Sequence, residues 1–144
     1  QSENLSAIDM NIYLSKLGHD VARNYRIGSQ VNLKVEAENI SIGAKQASPI
    51  GLIINELITN SFKYAFPVTE DGEIKINLQK TEDQIELEYA DNGIGMPEGL
   101  DWKNSDTLGL KLVRTLVENQ LNGSINLESD NGTRFIIKFN INET

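Results

Sequence analysis

The chain contains no cysteine and only one histidine, His19. The first absence excludes a disulfide framework and any cysteine-based zinc site, and a lone imidazole cannot build a histidine metal cluster. Cations are also in short supply: 13 Lys and Arg stand against 21 Asp and Glu, a formal net charge of -8. That balance argues against a nucleic-acid surface, because phosphate backbones are held by clustered Lys and Arg. An anionic ligand would need local help. No apolar run approaches the length of a membrane span, and the polar residues 1–3 do not open a signal peptide. The chain therefore reads as soluble and cytoplasmic, with no direct membrane contact, whether or not it is cut from a longer, membrane-bound parent. At 144 residues it has length for one sizeable core and not for two ordinary domains, so residues 1–144 read as a single domain.

Apolar periodicity outlines the elements. Ile8, Ile12, Leu17, Val21 and Tyr25 recur at helical intervals and predict a first helix from Ile8 to about Tyr25. Val31, Leu33 and Val35 alternate as a strand, and an irregular link then leads to Ser48 and Pro49, read as the N-cap and first position of a second helix that runs to Ala65 and is stopped by Pro67. A hairpin follows, with Ile74, Ile76 and Leu78 in one strand and Ile85, Leu87 and Tyr89 in the next, ending at Asp91. Pro97 and Gly99 interrupt the polar segment 96–107, which reads as a long mobile lid containing the only tryptophan, Trp102. A third helix spans Leu108 to Leu121 and ends at Asn122-Gly123. The last hairpin joins Ile125 and Leu127 to Phe135, Ile137, Phe139 and Ile141 through Asn131-Gly132. The expected class is α+β: a two-layer α/β sandwich with about five strands, mixed and mainly antiparallel, and three helices on one face.

Two groups of residues could carry chemistry. On the second helix Glu56, Asn60, Lys63 and Tyr64 fall at i, i+4, i+7 and i+8, one face of a regular helix, leaving Leu52, Ile53, Leu57 and Phe62 for burial. A carboxylate, an amide, an ammonium and an aromatic ring side by side suit Mg-ATP, with oxygen for the metal, a cation for phosphate and a ring beside the base. The second group is Asp91-Asn92-Gly93-Ile94-Gly95-Met96 at a strand end. There Asp91 can accept from an exocyclic amine, facing ligand rather than core, while Gly93 and Gly95 let the backbone pass close to a ring. Thr107, Leu108, Gly109 and Leu110 open the third helix, where free N–H groups could meet phosphate. A solvated helix face, an ordinary Asp-Asn-Gly turn and a simple Thr107 cap remain open as plainer readings. A P-loop and a dinucleotide Gly-x-Gly-x-x-Gly are excluded, since neither pattern is present.

These segments resemble the catalytic ATP-binding domain of sensor histidine kinases, in the superfamily that includes gyrase-type, heat-shock chaperone and mismatch-repair ATPases and carries the Bergerat ATP-binding fold. GLIINELITNSFKYAF at 51–66 is similar to the N box, DNGIGMP at 91–97 to the G1 box, and TLGLKLV at 107–113 to the G2 box. Gly132-Thr133 with Phe135 matches the final element. The wording of the N box and the short lid are most similar to the two-component subfamily with a variant dimerisation domain. The resemblance implies that Asn60 coordinates Mg2+, Lys63 contacts phosphate, Tyr64 lies near the base, Asp91 reads the adenine amine and Thr133 supports it through water. It also implies nucleotide contacts from Gly93, Ile94, Gly95, Met96, Leu108, Gly109 and Leu110. Glu56 has two implied roles, a general base or a bystander to a base beside the substrate. The G2 box departs from the family in lacking a doubled Gly-Thr-Gly.

A histidine kinase also needs an acceptor histidine on a dimerising helical hairpin. His19 is followed by too few residues before Gly28 to build one, so residues 1–7 read as the end of a linker from an absent dimerisation domain. The expected activity is therefore transfer of the γ-phosphate of ATP to a histidine on that separate domain, with a response regulator downstream. A serine kinase of the anti-sigma-factor type, with Glu56 as base, and a degenerate ATP-binding or interaction module are the alternatives.

Overall fold

The computed structural model describes residues 7–25, 31–66, 71–94, 109–129 and 132–141. In chain order the elements are β1 (Ala7–Asp9), α1 (Met10–Arg23), β2 (Val31–Glu36), β3 (Ser41–Gly43), α2 (Ala44–Asn60), β4 (Gly72–Thr81), β5 (Gln84–Asp91), α3 (Leu110–Thr115), β6 (Ser124–Glu128) and β7 (Thr133–Asn140). Both α2 and α3 run on into a wider π-helical turn, at Ser61–Ala65 and Leu116–Gln120. Five strands form one sheet in the order β2-β4-β5-β7-β6, parallel between β2 and β4 and antiparallel elsewhere. This is the expected mixed, mainly antiparallel sheet with three helices in a two-layer arrangement.

Alternation decides which face of the sheet the helices cover. Ile74, Ile76, Leu78, Ile85, Leu87, Tyr89, Phe135, Ile137 and Phe139 are buried and join Ile50, Ile53, Ile54, Leu57 and Ile58 of α2 in one core. The intervening residues of the same strands carry ion pairs, Arg134 with Glu88 and Glu128 and Lys138 with Glu86. Burying one such aliphatic side chain is worth roughly 1.5–3 kcal/mol, against about 0–1 kcal/mol for an exposed ion pair. The apolar row therefore sets the register, since a one-residue slip would expose all of it. That register places Asp91 between Ile74 on one side and Thr133 on the other.

Five sequence expectations need correction. The first helix starts at Met10 with Asp9 as its cap, accepting from the Ile12 N–H at 3.2 Å, because Ala7–Asp9 pairs with Ser41–Gly43 in a separate two-stranded ribbon. Its buried face is Met10, Leu14, Gly18 and Ala22, and Ile12 is 66% exposed. At Gly18 the sheet comes close, since a Cβ there would lie 2.6 Å from Leu33 Cδ2. Secondly, α2 begins at Ala44, a turn before Ser48, and Pro49 lies inside it. The hydrogen bond that Pro49 forfeits falls on the exposed Lys45, near the helix start where the loss is tolerated. Leu52, expected in the core, is 52% exposed. Lastly, pairing in the final hairpin stops at Glu128 opposite Arg134, wider than a two-residue turn, and Asn131 lies outside the described residues. The expected end of the third helix holds, since Asn122 has φ 52° and the Gly123 N–H returns to the Val117 carbonyl at 2.9 Å.

Candidate functional site

Asp91 is the one charged residue in the inward row Ile85, Leu87, Tyr89, Asp91, and it is 7% exposed. A carboxylate taken out of water must be matched by donors. Oδ1 accepts from the Gly93 N–H at 3.0 Å and the Thr133 N–H at 3.3 Å, and Oδ2 accepts from Ser61 Oγ at 2.6 Å. The same Ser61 oxygen stands 2.5 Å from the Tyr89 hydroxyl, which also lies 3.0 Å from the Leu57 carbonyl oxygen. Burial pushes the Tyr89 phenol well above its ordinary range, the Ser61 hydrogen bond pulls the other way, and the charge of Asp91 adds the smallest push upward. Tyr89 is thus a neutral O–H donor at any physiological pH.

The turn after Asp91 is fastened on both sides. Asn92 pairs with Glu73 twice, its N–H to the Glu73 carbonyl at 3.2 Å and its Oδ1 accepting from the Glu73 N–H at 2.7 Å. Gly93 then passes so near the end of α2 that a Cβ would lie 2.5 Å from the Ala65 carbonyl oxygen, and the Ile94 N–H bonds that oxygen at 3.0 Å. Tyr64 and Ile94, on the two segments this bond joins, are 50% and 73% exposed. They leave two apolar surfaces facing solvent beside the Asp91 turn, as a planar ring would require.

Glu56 and Asn60 stand one turn apart on α2, each half-buried, and Lys63 and Tyr64 are exposed on the π-helical turn. The uniform rotation assumed for this stripe ends at Asn60, because the backbone widens from Ser61 onward. Gly109 caps α3 in the left-handed region, φ 70°, and a Cβ there would collide with Glu56 Oε1 and approach Asn60 Nδ2 to 3.8 Å. Glu56, Asn60 and Gly109 therefore meet at one point. Asn60 and Ser61 are neighbours in sequence, so the same end of α2 reaches both this point and Asp91.

Of the residues singled out in the sequence, Glu56, Asn60 and Gly109 gather at one point, and Asp91, Gly93 and Thr133 at another. Thr133 reaches Asp91 directly through its backbone N–H at 3.3 Å. Asp91 is not simply aimed at a ligand, as expected, for three of its acceptor positions are filled from within the protein. Leu110 is 1% exposed in the core, so only its backbone is left to meet a ligand. Gly95, Met96, Thr107, Leu108 and Trp102, with the rest of 96–107, lie outside the described residues. Ser61 and Tyr89 were missed. The signal for Tyr89 was available, since period-2 alternation puts it on the same face as Asp91, and a buried phenol needs a partner.

The model of the family described as histidine kinase-, DNA gyrase B-, and HSP90-like ATPase matches residues 45–143. Among curated proteins, the sensor histidine kinase PdtaS of Mycobacterium tuberculosis is 30% identical over 100 residues, 67% of this chain and 20% of that protein. The serine-protein kinase RsbW of Listeria innocua is 30% identical over 106 residues, 64% of either chain. Among solved structures, the histidine kinase domain of a blue-light-activated histidine kinase from Erythrobacter litoralis superposes with a TM-score of 0.79 at 26% identity, covering 93% of this chain and 62% of that one. This chain spans a small part of PdtaS and under two thirds of the Erythrobacter domain.

Proposed function

This chain belongs to the histidine kinase-, DNA gyrase B- and HSP90-like ATPase family, and from that premise we propose that it binds Mg-ATP and passes the γ-phosphate to a histidine on a separate dimerisation domain. The observation that carries the reading is Asp91. Its carboxylate is buried, braced on three positions and left with acceptor capacity beside the exposed Tyr64 and Ile94, which suits the amine and ring of adenine. Glu56, Asn60 and the side-chain-free Gly109 supply the other end, with Lys63 as the nearby cation for phosphate.

The donor set fits Mg2+. Among the described residues no three Asp, Glu or His gather to cage an ion, and Mg2+ is ordinarily held by one or two protein oxygens together with phosphates and water. Asn60 would hold it, with Glu56 one turn away. When bound, it would neutralise charge on the transferring phosphoryl group. The chain's own part is to orient the nucleotide, with Asp91 fixing the base, Lys63 meeting phosphate and Gly109 leaving room.

Histidine as acceptor is supported by the histidine kinases among the relatives, and a response regulator downstream and a cytoplasmic location follow from the same reading. No helix among the described residues is long and apolar enough to cross a membrane. The likeness to RsbW favours one second reading, a serine kinase with Glu56 as base. Labelled ATP, this chain and a purified histidine-bearing dimerisation domain separate the two. Acid-labile label on the acceptor domain supports the histidine reading, acid-stable label on serine supports the second, and bound ATP with no transfer to any protein would reduce the chain to a binding module.

A further inference from the structure

Three short oxygen contacts in a row link Leu57, Tyr89, Ser61 and Asp91, at 3.0, 2.5 and 2.6 Å, but the two hydroxyls between them carry only two protons. A carboxylate has none to give, so the Ser61 proton is committed to Asp91 Oδ2. Tyr89 then chooses between Ser61 Oγ and the Leu57 carbonyl. That carbonyl is already served by the Ser61 N–H, whereas Ser61 Oγ is nearer and polarised by the carboxylate, which strengthens the hydrogen bond it accepts. The favoured polarity runs from Tyr89 to Ser61 to Asp91. All three side chains are nearly closed to solvent, at 1%, 3% and 7% exposure, so water does not substitute for a missing member.

The chain has a stereochemical consequence. An ionised carboxylate offers about four acceptor positions. Among the described residues Gly93 and Thr133 occupy the two on Oδ1 and Ser61 one on Oδ2, which leaves a single position on Oδ2 for a ligand. Ser61 is also the first residue of the π-helical turn that carries Lys63 and Tyr64, and Tyr89 reaches Leu57 just before that turn begins. The relay thus fixes the carboxylate and the helix end against each other.

Resting on the nucleotide reading above, we infer that Tyr89 and Ser61 are positioning residues for base recognition: they hold Asp91 Oδ2 so that its one open acceptor position meets the exocyclic amine of a 6-aminopurine. They touch no ligand themselves and act through Asp91. The raised pKa of Tyr89 agrees with this, because the phenol keeps its proton and its donor role across the working pH range.

The test compares ATP with purine riboside 5′-triphosphate, which lacks the 6-amino group, by calorimetry on the wild-type chain, Tyr89→Phe and Ser61→Ala, each checked by thermal melting. Both substitutions remove a hydroxyl and little else. The wild type should prefer ATP by about tenfold or more, the worth of a hydrogen bond to a charged group. In both variants that preference should shrink by at least about threefold, through weaker ATP binding with the amine-free nucleotide hardly changed. Equal weakening of both nucleotides would show a merely structural role and overturn the inference, as would an undiminished preference in a folded variant. A wild type that binds neither nucleotide would overturn the nucleotide reading itself and this inference with it.

Discussion

Gly109 and Glu56 share a space that only one side chain can occupy: a Cβ at position 109 would fall on Glu56 Oε1. The backbone of Gly109 is also left-handed, φ 70°. Two separate penalties follow for Gly109→Ala. The conformational one costs roughly 1–2 kcal/mol and has no remedy. The overlap is relieved cheaply, because Glu56 Oε1 ends a flexible side chain, but the relief moves the carboxylate away from position 109. Denaturant unfolding should show Gly109→Ala less stable by about 1–2 kcal/mol, and adding Glu56→Ala should leave that loss in place. Wild-type stability in the double variant would mean that overlap, not backbone, was the cause.

Tyr89 predicts an alkaline weakness. Its folded-state pKa lies above the unfolded value of 10.0, so the stability it contributes is complete below that value and is lost as pH rises through and beyond it. Each such group adds a slope of up to about 1.4 kcal/mol per pH unit. Unfolding free energy measured from pH 8 to 11 should fall less steeply in Tyr89→Phe than in the wild type. Parallel curves would contradict the burial and hydrogen bonding assigned to this phenol.

Asn60→Ala separates metal from base. The amide stands beside Glu56 and Gly109. Removing it should leave binding of ATP without Mg2+ intact while erasing the gain that Mg2+ brings, roughly tenfold in affinity. Calorimetry with and without the cation decides this, and an unchanged Mg2+ gain would take Asn60 out of the site.

His19 is exposed on α1 and faces the Ser15 carbonyl at 2.7 Å, so Nδ1 carries the proton and donates to it. Nothing else among the described residues is recorded against the ring. His19→Gln should change stability by less than about 0.5 kcal/mol and leave transfer to an acceptor domain unaltered. Acid-labile label on this chain that vanishes with the substitution would make His19 an acceptor.

Strong local patterns were legible in the sequence and weak or long-range ones were not. Alternation such as Ile85, Leu87, Tyr89 specified strands and their buried face, and Asn122-Gly123 marked a helix end, because each is a local preference that packing reinforces. The Ala7–Asp9 and Ser41–Gly43 ribbon was invisible, as three residues are too few to show a period and the pairing partner is remote. The helix one face was misjudged because hydrophobicity favours Ile12, whereas close approach to Leu33 favours Gly18. At the candidate site, Glu56, Asn60, Asp91 and Gly109 could be named from spacing and resemblance. That Ser61 would reach Asp91 could not, because it depends on where a remote strand end meets the helix, which no local propensity announces.

On the proposed reading a nucleotide lodges between Asp91 and the meeting point of Glu56, Asn60 and Gly109. The most direct measurement is a titration of the nitrogen-15-labelled chain with a non-hydrolysable ATP analogue and Mg2+, followed residue by residue by NMR. On that reading saturable shifts are expected at the amides of Asn60, Ser61, Asp91, Gly93, Gly109 and Thr133, with those of Lys34, Gln79 and Ser124 unmoved. Saturable shifts centred elsewhere on the sheet, or none at all, would contradict it.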